Sequence, residues 1–123
     1  MVLEAELKSI SSSDINENQY WPEDEELFGF TLDATIGPVG EDSGNIFQFF
    51  VCTPKWIASR MINRDFGDVG VFGREMIIVT EYNIPAIRKM ISDLCKRTSG
   101  RNWSEVATKL SRYAAWEYAD YQT

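Results

Sequence analysis

The sequence predicts an α+β fold: an antiparallel sheet of about four to five strands, two longer C-terminal helices packed on one of its faces, and one short helix. Three observations predict it. Apolar residues recur at every second position in the first half of the chain and at helical spacing in its last third. A single short helical stretch interrupts the strands. Strands grouped ahead of helices, instead of alternating with them, mark α+β over α/β. With 123 residues, 44% of them hydrophobic and 25% charged, residues 1–123 read as one globular domain.

Residues 2–10 alternate, with Val2, Glu4, Glu6 and Lys8 against Leu3, Ala5, Leu7 and Ser9, so a first strand with one polar face is expected. "SSSDINENQ" breaks that pattern as a loop. From Leu27 to Ile36 the alternation is cleaner. Phe28, Phe30, Leu32, Ala34 and Ile36 share one face and Thr31, Asp33 and Thr35 the other, as in a half-buried antiparallel strand. "GPVGEDSG", residues 37–44, is a hairpin loop by its glycines and proline. Residues 46–53 contain "FQFFV", apolar on both faces, and so a central strand.

Thr53 can cap, and Pro54 can begin, a short helix "PKWIASRMI" with Trp56, Ile57, Arg60 and Met61 as its buried stripe. "NRDFGDVGVFG" reads as loop, and "REMIIVTEY" as a strand rich in β-branched residues. Ile84, Ile87, Ile91 and Leu94 or Cys95 then recur at helical spacing, with Pro85 near the start and Gly100 as the stop. Asn102 and Glu105 have the spacing of a capping box, and Trp103, Val106, Ala107, Leu110 and Ala114 form the inward stripe of the last helix.

Charge and composition exclude several classes of function. Nineteen acidic against twelve basic residues give a formal charge of −7, which repels nucleic acid and favours a basic protein partner. "MVLEAELKSI" lacks the pattern of a signal peptide and no apolar run is long enough to span a bilayer, so a cytoplasmic protein without membrane contact is expected. Cys52 and Cys95 lie far apart in apolar segments and read as reduced, buried thiols. The chain has no histidine, no Ser-x-x-Lys, no metal-ligand spacing and no phosphate-binding loop, so no catalytic residue, metal or cofactor is assigned. One enzymatic alternative is a small hydrolase or ligand-binding domain using Asp65, Asp68 or Glu75, with residues 67–73 as a loop over a pocket. It requires a deep apolar cavity holding a carboxylate of raised pKa.

What remains are acids set beside aromatics. "YWPEDEELFGF", residues 20–30, places Glu23, Asp24, Glu25 and Glu26 after Tyr20 and Trp21. The rings are expected under the loop and the acids in water, because like charges are not buried unpaired. Solubility alone accounts for most acidic loops. Aromatics that anchor and carboxylates that choose a basic partner make an interface the sharper reading. In "YAAWEYADYQT", Tyr113 and Trp116 are expected to complete the core at the sheet edge, while Glu117, Tyr118, Asp120 and Tyr121 form a second patch. Glu41 and Asp42 add acids from the hairpin loop.

"AELKSI", "YWPEDEELFGF", "IGPVGEDSGNIFQFFVCTPKW", "FGREMIIVTEY" and "WSEVATKLSRYAAWEYADY" resemble the immunity protein 8 family of bacterial polymorphic toxin systems over essentially the whole chain. The resemblance implies an α+β fold and a cytoplasmic, non-enzymatic antidote. Such a protein binds a cognate toxin domain delivered by contact-dependent growth inhibition or a related secretion system. Many such toxins are nucleases with basic clefts. The resemblance transfers no contact residues, so Trp21, Glu23, Asp24, Glu25, Glu26, Glu41, Asp42, Glu117, Tyr118, Asp120 and Tyr121 stand as toxin-binding candidates on electrostatics and aromatic character alone.

Overall fold

The alternation of residues 28–36 builds one wall of the core. The structure, a computed structural model, describes residues 2–16, 20–63 and 73–119. In β2 (Gly29–Pro38), Phe30, Leu32, Ala34 and Ile36 are buried, and Thr31, Asp33 and Thr35 between them are partly exposed. β3 (Asn45–Cys52) pairs with β2 along its whole length, Gly29 opposite Cys52 and Ile36 opposite Asn45, and adds Phe47, Phe49 and Val51 to the wall. β1 (Leu3–Ser11) runs antiparallel on the other side of β2, with β5 (Ser99–Gly100) beyond it. β4 (Met76–Ile78) and β6 (Ala115–Trp116) share the far side of β3, β6 along its first half and β4 along its end.

Among the described residues the sheet has six strands, more than the four to five expected, in the order β4-β3-β2-β1-β5 with β6 also on β3. It is not wholly antiparallel either. β4 runs parallel to β3, with Met76 opposite Phe50 and Ile78 opposite Cys52, because the intervening α1 (Pro54–Ile62) carries the chain back before it re-enters the sheet. Only these three residues of "REMIIVTEY" join the ladder. The alternation expected of residues 2–10 fails after Leu7, where the register slips before Ser9 and Ile10 is buried. Lys8 is the extra residue of this bulge, and its ammonium donates to the Glu6 carboxylate at 2.6 Å and to the Pro38 carbonyl at 3.0 Å.

α2 (Ile84–Lys96) and α3 (Trp103–Leu110) lie on the apolar wall, contributing Ile87, Ile91, Leu94, Cys95, Val106, Ala107 and Leu110 to the core. α2 has 13 residues but α3 only 8, one fewer than α1, so the expected pair of longer C-terminal helices reduces to one. Asn102 caps α3 by accepting from the Glu105 N–H at 2.9 Å. Gly100 is not the stop of α2. The helix closes at Lys96, where Thr98 Oγ1 donates back to the Leu94 carbonyl at 2.7 Å. Gly100 pairs with Leu3 instead, at a point where a Cβ would stand 3.1 Å from Glu105 and Val106.

Buried Thr53 caps α1, as the sequence indicates, but the predicted buried stripe does not form and no residue of α1 is buried. Phe50 projects from the face opposite Phe49 and Val51. Trp56 packs there, its ring 4.9 Å from that of Phe50, with Arg60 over it at 5.2 Å. α1 therefore covers one end of the outer face, which elsewhere carries Thr31, Asp33 and Gln48, and Ile57 is only partly buried while Met61 stays exposed. At the other end Trp116 stacks on Phe47 and Trp103 meets it edge-on, with both indoles donating to Asn45 Oδ1. Trp116 thus closes the core as expected, but Tyr113 is half exposed. Cys52 and Cys95 are buried free thiols, and burial pushes both up, Cys95 to about 11.

Candidate functional site

The acidic loop is shaped by a residue that the sequence reading passes over. Tyr82, next to the N-cap Asn83 of α2, is buried beneath the loop. Tyr20, Trp21 and Phe28 meet it edge-on at 5.5, 5.2 and 5.4 Å. Such pairs contribute roughly 0.5–1.5 kcal/mol each beyond the area they bury. The Tyr82 N–H donates to the Glu25 carbonyl at 2.9 Å, which ties the loop to the start of α2.

The acids are ordered one by one. Asp24 Oδ1 accepts from the Glu26 N–H at 2.9 Å, and its carbonyl accepts from the Leu27 N–H at 3.0 Å, forming a turn. The Trp21 indole donates to Glu25 Oε1 at 3.1 Å. Glu26 pairs with Lys55 of α1 at 2.7 Å and, helped by Asp24, holds that ammonium above its ordinary range. Glu23, Asp24, Glu25 and Glu26 all face water, as expected. Trp21 does not tuck under the loop: Tyr82 occupies that space, and the Trp21 ring stays 63% exposed.

The remaining candidates lie elsewhere. Glu41 and Asp42 are exposed at the tip of the β2–β3 hairpin, where Gly40 takes φ +84° and the Glu41 N–H donates to the Pro38 carbonyl. Glu117 is engaged at that same end, its Oε1 accepting from the Ile46 N–H at 2.8 Å and its own N–H donating to the Ile46 carbonyl. Tyr118 is exposed, edge-on to Trp116 at 6.3 Å. Asp120 and Tyr121 lie outside the described residues. The ten residues of β2 separate the two ends by about 30 Å. The candidates therefore form two acidic ends and not one patch.

The enzymatic alternative gains little from the geometry. Asp65 and Asp68 lie outside the described residues. Glu75 is partly buried at φ 60°, with its carbonyl accepting from the Phe50 N–H. A groove of about 240 Å³ between β1 and α2 borders Glu6, but Lys8 holds that carboxyl below its ordinary value, the reverse of what a general acid needs. Among the described residues no group of three His, Cys, Asp or Glu side chains could hold a metal ion.

Tyr82, Lys55 and Asn45 organise these ends without having been singled out from the sequence. For Tyr82 a signal exists: it precedes the cap Asn83 and stands in hydrophobic-staple relation to Ile87. For Lys55 and Asn45 there is none, since their partners are 29 and up to 71 positions away.

Comparison with curated proteins gives no match, and comparison with solved structures gives none either. The family model described as immunity protein 8 matches residues 5–121 of the 123, taking in both acidic ends and every helix. The chain belongs to the immunity protein 8 family.

Proposed function

We propose that this chain is a stoichiometric antitoxin that binds a cognate secreted toxin domain in the cytoplasm through the acidic loop 20–28, and performs no chemistry of its own. Membership of an immunity protein family supplies the toxin partner. The observation that carries the choice of surface is the loop itself: four exposed carboxylates, three of them (Asp24, Glu25 and Glu26) held by a turn, an indole and a lysine, beside a largely exposed tryptophan. An aromatic anchor beside ordered charge is the composition of an energetically dominant contact. The toxin that best fits it is a nuclease of a contact-dependent or related polymorphic toxin system, whose cleft is basic in order to hold phosphate. Opposite charge raises the encounter rate above the neutral ~10⁵–10⁶ M⁻¹s⁻¹, which matters for a poison effective at few copies.

The test is co-expression with the toxin domain encoded beside the gene. Growth should be rescued, and the two chains should co-purify as a complex. Absence of both rescue and complex would end this reading.

A further inference from the structure

At the free edge of the sheet, a trough follows the junction of β4 and α2, and its character changes along its length. Ile78 and Met90, 52% and 46% exposed, stand at one end with Ile77 and Ile91 as the apolar floor. At the other end Tyr113, half exposed, separates this floor from a second hollow bordered by Arg97, Lys109 and Arg112. The apolar part holds about 170 Å³ and the basic part about the same.

Three cations around one hollow are unexpected on a chain of net charge −7. Lys109 is already engaged, donating to the Ser99 carbonyl at 2.6 Å and lying 3.9 Å from Glu105. Arg97 helps Lys89 and Lys96 to hold the Asp93 carboxyl low but makes no ion pair, and neither does Arg112, among the described residues. Cations near the ends of α2 and α3 complement the helix dipoles. That accounts for their place on the chain, but not for the apolar floor open beside them.

β4 adds a third element. Glu75 and Val79 use their backbone groups on β3, through Phe50 N–H to the Glu75 carbonyl and Val79 N–H to the Cys52 carbonyl. In a parallel ladder this turns the N–H and C=O groups of Met76 and Ile78 the other way. No strand lies on that side among the described residues.

We propose that this trough receives an extended segment of the toxin polypeptide, one in which a bulky apolar residue is followed two or four positions later, on the same face of the strand, by a carboxylate. The spacing comes from the helix: Met90 to Arg97 is seven residues, or about 10 Å of rise, which falls between the about 7 Å and about 13 Å spanned by the two or four residues of extended chain that keep both side chains on one face. The apolar residue sits between Ile78 and Met90, the carboxylate between Arg97 and Arg112, and the segment's backbone pairs with the outward groups of β4. The polarity is opposite to that of the acidic loop, so the two surfaces grip different parts of one partner. This inference rests on the antitoxin reading.

The experiment measures affinity by calorimetry between the toxin domain encoded beside the gene and three forms of this chain: wild type, Arg97→Glu with Arg112→Glu, and Met90→Asp. All the altered side chains are exposed, so both variants should melt as wild type does. Each should bind about 30-fold more weakly or worse. Wild-type binding with both variants within threefold of it overturns the trough alone. No binding by wild type overturns the antitoxin reading, and the trough with it. A large drop in melting temperature with affinity unchanged means that the chain covers its own trough, and the proposal fails. It fails equally if sedimentation shows a wild-type dimer that the reversed arginines abolish.

Discussion

The two acidic ends of the sheet have similar charge but are built by different means. The hairpin end is fixed by backbone. A Cβ on Gly37 would lie 1.9 Å from the Ser43 carbonyl oxygen, Gly40 takes a left-handed turn, and the charged tips of Glu41 and Asp42 project with no aromatic beside them. The loop end is fixed by side chains: rings around Tyr82, an indole on Glu25, and Lys55 on Glu26. Charge alone does not separate a binding surface from a solubilising one. What a partner can grip is charge next to something large, ordered and dry on one side, and the loop gathers four acids beside such a ring, whereas the hairpin tip carries Glu41 and Asp42 away from one.

That contrast breaks most visibly at Gly37. Alanine there forces main chain away from main chain, and we expect a loss of about 3 kcal/mol or outright failure to fold, read as the urea midpoint. No change at the exposed acids of the loop should cost as much stability. Trp21→Ala is the reciprocal case. It gives up an edge-on contact with Tyr82 and a hydrogen bond to Glu25, so it should cost about 1 kcal/mol of stability, yet weaken toxin binding by about 2 kcal/mol in calorimetry. Equal affinity for the variant would remove the anchor from the account.

A smaller effect separates the acids themselves. Changing Glu23, Asp24, Glu25 and Glu26 to their amides should slow association about tenfold at low salt and flatten its salt dependence. Glu41→Gln with Asp42→Gln should leave both alone. Stopped-flow rates for the two variants decide which end meets the toxin, and the opposite ranking would exchange their roles.

The smallest effect is in pH. Glu6, at the hairpin end, is held low by the hydrogen bond and charge of Lys8, so its contribution exists above the ordinary carboxylate range and disappears as pH falls through the lowered value. Lys55, at the loop end, is held high by Glu26, so its contribution exists below the ordinary lysine value and disappears as pH rises through the raised one. The two ends should loosen in opposite directions. NMR titration of the Glu6 side-chain carbon and the Lys55 ε-protons reads both midpoints, and salt should shrink both displacements because the pairs are solvated.

Local chemistry was legible in the sequence wherever it did not depend on a distant partner. The alternation from Phe28 to Ile36, the caps Thr53 and Asn102 and the stripe from Val106 to Ala114 are all written within a few positions. What failed depended on where the chain goes next. A helical stripe in α1 states which residues face one way, but not whether an apolar surface awaits them. The parallel run of β4 follows from a crossover rather than from "MII" itself. Gly100 looks like a helix stop until Leu3 comes to pair with it. The acids of the candidate site were likewise visible, while Tyr82 beneath them and the distance between the two ends were not. Alternation gives the face of a strand and says nothing of which end of it a loop occupies.

The seam at Asn45 sets a timetable. β1, β2 and β3 form a meander from neighbouring sequence, but one flank of Phe47 stays bare until Trp116 arrives, whose indole reaches Asn45 from 71 positions downstream. At about 5–20 residues per second on the ribosome that wait lasts roughly 4–14 s. During it, a sticky half-barrier of phenylalanines is open to chaperones and to its own kind.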